Sequence, residues 1–113
     1  MSKRLDIDYL HDMLEAISRI SKYCEKFSYE DFLQDTMAQD AVVRNLEIIG
    51  EAVKNLHETF KQEHADVPWK SIAGIRDRLI HDYFGVNWDI VWNVVENDIP
   101  DLLNKVKSIL EKD

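Results

Sequence analysis

The sequence contains one cysteine, Cys24, with three glycines and two prolines in 113 residues. A single cysteine excludes an internal disulfide and any multi-cysteine zinc site. So little turn chemistry excludes a β-rich domain, which needs a turn roughly every ten residues. No apolar run approaches the length of a membrane span. The start of the chain is basic at Lys3 and Arg4 but meets Asp6, Asp8 and Asp12, so no secretory hydrophobic region follows. Positive charge is scarce as well: 14 Lys+Arg face 22 Asp+Glu, for a net charge of −8. A field of that sign does not attract nucleic acid, so any nucleic-acid chemistry has to come from a local site. What remains, at 45% hydrophobic residues, is the composition of one folded domain over 1–113, expected to be soluble and cytoplasmic.

Apolar residues recur at helical spacing in four stretches. Leu10, Met13, Ile17, Ile20, Cys24 and Phe27 form the first stripe, and Val42, Leu46, Ile49, Val53, Leu56 and Phe60 the second. The third runs Trp69, Ile72, Arg76, Leu79, Tyr83, flanked by Ile75 and Ile80. The fourth runs Trp88, Val91, Val95, Ile99, Leu102, Val106, Ile109, with Trp92 beside it. Four amphipathic stripes predict an all-α, up-and-down bundle of four to five helices. Ser28 with Asp31 reads as a capping box over 28–34, Pro68 suits the first turn of the third helix, Gly85 stops it, and Asn87 caps the next. Pro100 interrupts an unbroken register and predicts one kinked helix, or two abutting ones with Asp98 as a cap. Gly50 and Gly74 lie inside helical patterns. Close helix–helix approach explains Gly50, whereas Gly74 stands two residues before the strangest position in the chain.

That position is Arg76, an arginine on an apolar stripe with Ile72, Leu79 and Ile80 as face neighbours. A guanidinium there must snorkel out, find a partner, or point into a groove that binds an anion. Tyr83 lies seven residues on, at nearly the same angle and about 10.5 Å further along an ideal helix. His81 lies about 140° away around the same axis. One regular helix cannot aim Arg76 and His81 at one atom. Either the helix ends near His81 and the chain turns, or a second protomer supplies the missing half of the site. Asp77, four residues before His81, is placed to orient that imidazole and to favour its charged form. The stretch from Trp69 to Tyr83 carries a net +1, the least hostile surface here for a phosphate.

Arg76 to His81 fits the R-x4-6-H signature of the HEPN superfamily, and His81-Asp82-Tyr83 extends it to R-x4-H-x-Y. With Arg44 to Ala52 upstream, Trp69 and Ile72-Ala73-Gly74 before the arginine, and Val86-Asn87-Trp88 with Val91-Trp92 after the tyrosine, the chain resembles the HepT-type toxins over nearly its whole length. The resemblance implies a helical homodimer whose motifs meet across a cleft, acting as a metal-independent endoribonuclease with no cofactor. It implies a minimal nucleotidyltransferase (MNT) antitoxin partner that transfers AMP to Tyr83. Cleavage of RNA without metal needs proton transfer, here assigned to His81, and charge stabilisation at phosphorus, here assigned to Arg76. The polar residues of the second helix, Arg44, Asn45, Glu47 and Glu51, are expected in part at the cleft, with Arg44 near phosphate and Glu47 or Glu51 beside Arg76. The alternative is a non-catalytic HEPN module that binds a nucleotide or the nucleotidyltransferase.

Taken singly, these residues have plainer roles: a snorkelling arginine, a helix-end histidine, a rim tyrosine. Other chemistry-bearing residues keep theirs. His57 and His64 with Glu58 and Glu63 do not form H-E-x-x-H and straddle a helix end, so no metal site is expected. His11 reads as a surface residue and Cys24 as a structural thiol. Trp69, Trp88 and Trp92 read as core rather than as a stacking platform.

Overall fold

The computed structural model describes residues 4–79 and 85–112. Among the described residues are eight α-helices: α1 (Asp6–Cys24), α2 (Tyr29–Gln34), α3 (Thr36–Asn55), α4 (Glu58–Glu63), α5 (Trp69–Ala73), α6 (Ile75–Leu79), α7 (Trp88–Asn93) and α8 (Ile99–Lys112). A π-helical turn, Val94–Asp98, joins α7 to α8. The architecture is the all-α bundle that the stripes predict. Its four units are α1, α3, the α5–α6 pair and the run from α7 to α8. No helix among the described residues is long and apolar enough to cross a membrane.

Leu10, Met13, Ile17 and Ile20 of α1 close onto Val42, Leu46, Ile49 and Val53 of α3, all essentially without solvent contact. Asp6, at the start of α1, accepts hydrogen bonds from the His57 backbone N–H and ring Nδ1, both at 3.0 Å, just past the end of α3. That contact fixes α1 and α3 as antiparallel. Ser28 and Asp31 form the expected capping box, with reciprocal contacts of 3.1 and 3.4 Å, and seat Phe32 in the core. Asn87 accepts from the Ile90 N–H at 3.2 Å and so caps α7. Pro68 stands one residue outside the predicted first turn, at the cap of α5. Trp69 is buried and shares its indole N–H between the Lys61 and His64 carbonyls at 3.1 and 2.9 Å. Trp88 and Trp92 pack around Phe32 with ring centroids 5.8 and 5.2 Å away; Trp69 is a core residue as expected, whereas these two are half-buried against the core.

Two stripes are corrected by the structure. The third does not form one helix through Arg76: the chain breaks at Gly74, and the buried set is Trp69, Ile72, Ile75 and Leu79. Ile75 takes the core position, and Arg76 lies beside the stripe rather than on it. The fourth stripe buries Val94 in place of Val95, so the buried set runs Val91, Val94, Ile99. That final step of five residues is the mark of the π turn, in which the Ile99 N–H reaches back to the Val94 carbonyl. The wider turn carries Pro100, which has no N–H to give, into α8 without ending the helix. Asp98 is not a cap; its carboxylate is engaged with Arg78.

Candidate functional site

The site begins with a glycine. A Cβ at Gly50 would meet the Ile72 carbonyl oxygen at 3.2 Å and Ile75 Cγ2 at 3.3 Å. Only a bare Cα lets the α5–α6 junction rest directly on α3. The short α6 helix is then held by Ile75 and Leu79 in the core and by Arg78. That guanidinium donates to Ser71 Oγ at 3.1 Å and to Asp98 Oδ2 at 3.3 Å. Core on one side and this clamp on the other leave Arg76 facing α3.

Arg76 is two-thirds exposed, and its Nε lies 3.7 Å from Glu47 Oε2 on α3. That separation is a coulombic contact rather than a hydrogen bond. Exposed pairs of this kind contribute about 0–1 kcal/mol, so Glu47 steers the guanidinium without locking it. Of the two carboxylates considered from the sequence, Glu47 is the one beside Arg76. Both Glu47 and Glu51 line a small hollow with Gly50, Lys54, Ala73, Ile75 and Arg76. The same two glutamates line a second and larger hollow, of about 440 Å³, between α1 and α3, with Arg4, Tyr9, Asp12, Arg44, Ile48, Ala52 and Asn55. The two hollows meet at a common rim formed by Glu47 and Glu51. Arg44 is exposed in the larger one and has no ion-pair partner among the described residues.

Asn45 departs from the expected polar face. It is buried, donates its Nδ2 to the Ala41 carbonyl at 2.8 Å, and keeps an Oδ1 without a partner among the described residues. Asp77 is exposed on α6. Its expected partner His81, and Tyr83, lie outside the described residues. His57 serves the Asp6 contact, and His64 stacks on Phe60 with centroids 4.6 Å apart. His11 is exposed. Burial, with the nearby Glu96 charge adding to it, pushes the Cys24 thiol up to about 11, the behaviour of a packed thiol rather than a nucleophile. Arg4 and Tyr9 were absent from the sequence expectations. No spacing rule links the start of α1 to the middle of α3; only their antiparallel packing brings them together.

Residues 13–109, which include the whole arginine-bearing segment and α3, match the family described as Ribonuclease HepT-like. The chain belongs to that family. "Probable ribonuclease HepT" of Thermococcus cleftensis is 47% identical over 107 residues, spanning 95% of this chain and 97% of its own. "Putative RNase TTE0752" of Caldanaerobacter subterraneus subsp. tengcongensis is 49% identical over 105 residues, spanning 93% and 94%. No solved structure matches the chain significantly. Arg76 stands exposed over the smaller hollow of this HepT-like domain, with its planar guanidinium beside Glu47.

Proposed function

We propose that this HepT-like chain is the toxin of a toxin–antitoxin pair, a metal-independent endoribonuclease working as a homodimer. The observation that carries the reading is Arg76, exposed over the smaller hollow on α3 with the 3.7 Å contact to Glu47 as its one ion pair among the described residues, in a chain of a ribonuclease family. His81 accepts the proton of a ribose 2′-OH as that oxygen attacks phosphorus. An imidazole, supplied by the second protomer, protonates the departing 5′-oxygen. Arg76 stabilises the charge that builds on the phosphoryl oxygens, and Arg44 assists in holding the strand. The products are a 2′,3′-cyclic phosphate and a 5′-hydroxyl. An MNT nucleotidyltransferase silences the site: the Tyr83 phenol oxygen attacks the α-phosphorus of ATP, pyrophosphate leaves, and AMP remains on the tyrosine. Its bulk and negative charge exclude RNA from Arg76.

The test is expression of wild type and His81→Ala in a bacterial host, with growth and total RNA followed together. Growth arrest with discrete RNA fragments, both lost in the variant, is the expected result. A second reading draws on the net charge of −8: a non-catalytic module that holds a nucleotide or its nucleotidyltransferase. Harmless expression of both proteins, with Tyr83 shown unmodified by mass, decides for it.

A further inference from the structure

The hollow between α1 and α3 carries more chemistry than phosphate binding needs. At its α1 side Arg4 is held by three neighbours. Its Nη1 lies 2.8 Å from Asp12 Oδ2, its Nη2 donates to the Asp8 carbonyl at 3.3 Å, and its guanidinium carbon stands 4.6 Å over the Tyr9 ring. An arginine held over a tyrosine ring by two further contacts is a ready stacking surface for a base, since part of its ordering precedes the ligand. At the α3 side, Arg44, Ile48, Glu51 and Asn55 follow one another at steps of four, three and four residues, so they line a single helix face. Arg44 and Glu51 are about 10.5 Å apart along that axis, a span that one nucleotide bridges from its phosphate to its base edge. Half-buried Ile48 lies between them as an apolar floor.

We infer that this hollow is a subsite for one guanine nucleotide of the RNA strand, next to the phosphate that Arg76 holds. The inference rests on the ribonuclease reading for its place in the reaction. Arg44 takes the nucleotide's phosphate, the Arg4–Tyr9 stack takes the face of the base, and the Glu51 carboxylate reads its edge. A carboxylate only accepts hydrogen bonds. The Watson–Crick edge of guanine presents two adjacent donors, N1–H and the 2-amino group, to its two oxygens. Uracil presents one donor between two carbonyls, which the carboxylate repels; adenine and cytosine present one amino group beside a ring acceptor. Among the described residues Asp12 is held by Arg4 at 2.8 Å, while Glu47 and Glu51 have only loose ion-pair contacts, to Arg76 at 3.7 Å and to Lys54 at 3.9 Å; of these two Glu51 is the more exposed, 71% against 37%, and so the freer to meet a base.

Titration of the purified protein with GMP and UMP at low salt, by calorimetry or by the tyrosine and tryptophan NMR signals, tests the subsite without any cleavage. GMP is expected to bind at least tenfold more tightly than UMP. Glu51→Gln closes that gap, and Arg4→Gln weakens GMP by tenfold or more. Both side chains are exposed, and far-UV circular dichroism checks that the variants fold. Equal affinity for the two nucleotides, no binding, or a preference that survives Glu51→Gln overturns the inference. The two readings fail separately. RNA cleavage without nucleotide discrimination keeps the ribonuclease and removes the subsite, while GMP selectivity in a chain that leaves RNA intact does the reverse.

Discussion

Replacing Gly50 with alanine tests the contact that places Arg76. The added methyl would stand 3.2 Å from the Ile72 carbonyl oxygen and 3.3 Å from Ile75 Cγ2. The first neighbour is backbone and the second a packed core group, so neither yields readily. Overpacking of this kind costs about 1–3 kcal/mol. Alanine in a helix interior returns about 0.5–1 kcal/mol relative to glycine. The net expectation is a loss of up to about 2.5 kcal/mol, or a fall of up to about 10 °C in Tm. Gly74→Ala is the matched control. Its Cβ would meet only the Lys70 and Ser71 carbonyls, at 3.5 and 4.0 Å, and its φ of −90° suits any residue. That substitution is expected to stabilise by about 0.4–1 kcal/mol through the unfolded chain. Thermal and urea unfolding followed by circular dichroism reads both. Shifts of the same sign in the two variants, or a more stable Gly50→Ala, would refute the close-approach argument.

Cys24, with its thiol raised from 9.0 to about 11, should react with iodoacetamide at pH 8 roughly a hundredfold more slowly than an unhindered cysteine. The unfolded chain releases that proton first, so stability should fall as pH rises from 9.0 toward 11, and Cys24→Ala should flatten the slope. The Arg78–Asp98 pair is exposed at 3.3 Å, so a double-mutant cycle with Arg78→Gln and Asp98→Asn should give a coupling of about 0.2–1 kcal/mol; a value several times larger would mean that the clamp is part of the core. Asn45→Leu removes a buried acceptor that has no partner among the described residues, and should leave the Tm equal or higher. A loss above about 1 kcal/mol would mean that Oδ1 is satisfied.

Helical class and most of the core were legible because burial follows a helical period, and α1 and α3 keep that period from end to end. Arg76 was misplaced onto its stripe for a physical reason. A period count assumes an unbroken helix, and the turn at Gly74 rotates the next residues so that Ile75 takes the core position. Pro100 was legible as a disturbance but not as a π turn, since Val94 and Val95 are equally apolar and only packing selects between them. Glu47 beside Arg76 could be narrowed to two candidates one helical turn apart; the α5–α6 junction seated on Gly50 decides between them. The Arg4–Tyr9 stack depends on a contact between α1 and the facing stretch of α3, which no local pattern announces.

The central claim is that Arg76 and His81 cut RNA. Purified wild type, Arg76→Ala and His81→Ala should be compared on one defined RNA in the presence of EDTA, with product ends identified by mass. Wild type is expected to give 2′,3′-cyclic phosphate and 5′-hydroxyl ends. Each variant should be slowed by about 10²–10³-fold or more, and Arg76→Ala should unfold within about 1 kcal/mol of wild type because its side chain is exposed. Undiminished cleavage by either variant, or 3′-hydroxyl and 5′-phosphate ends, would contradict the assignment.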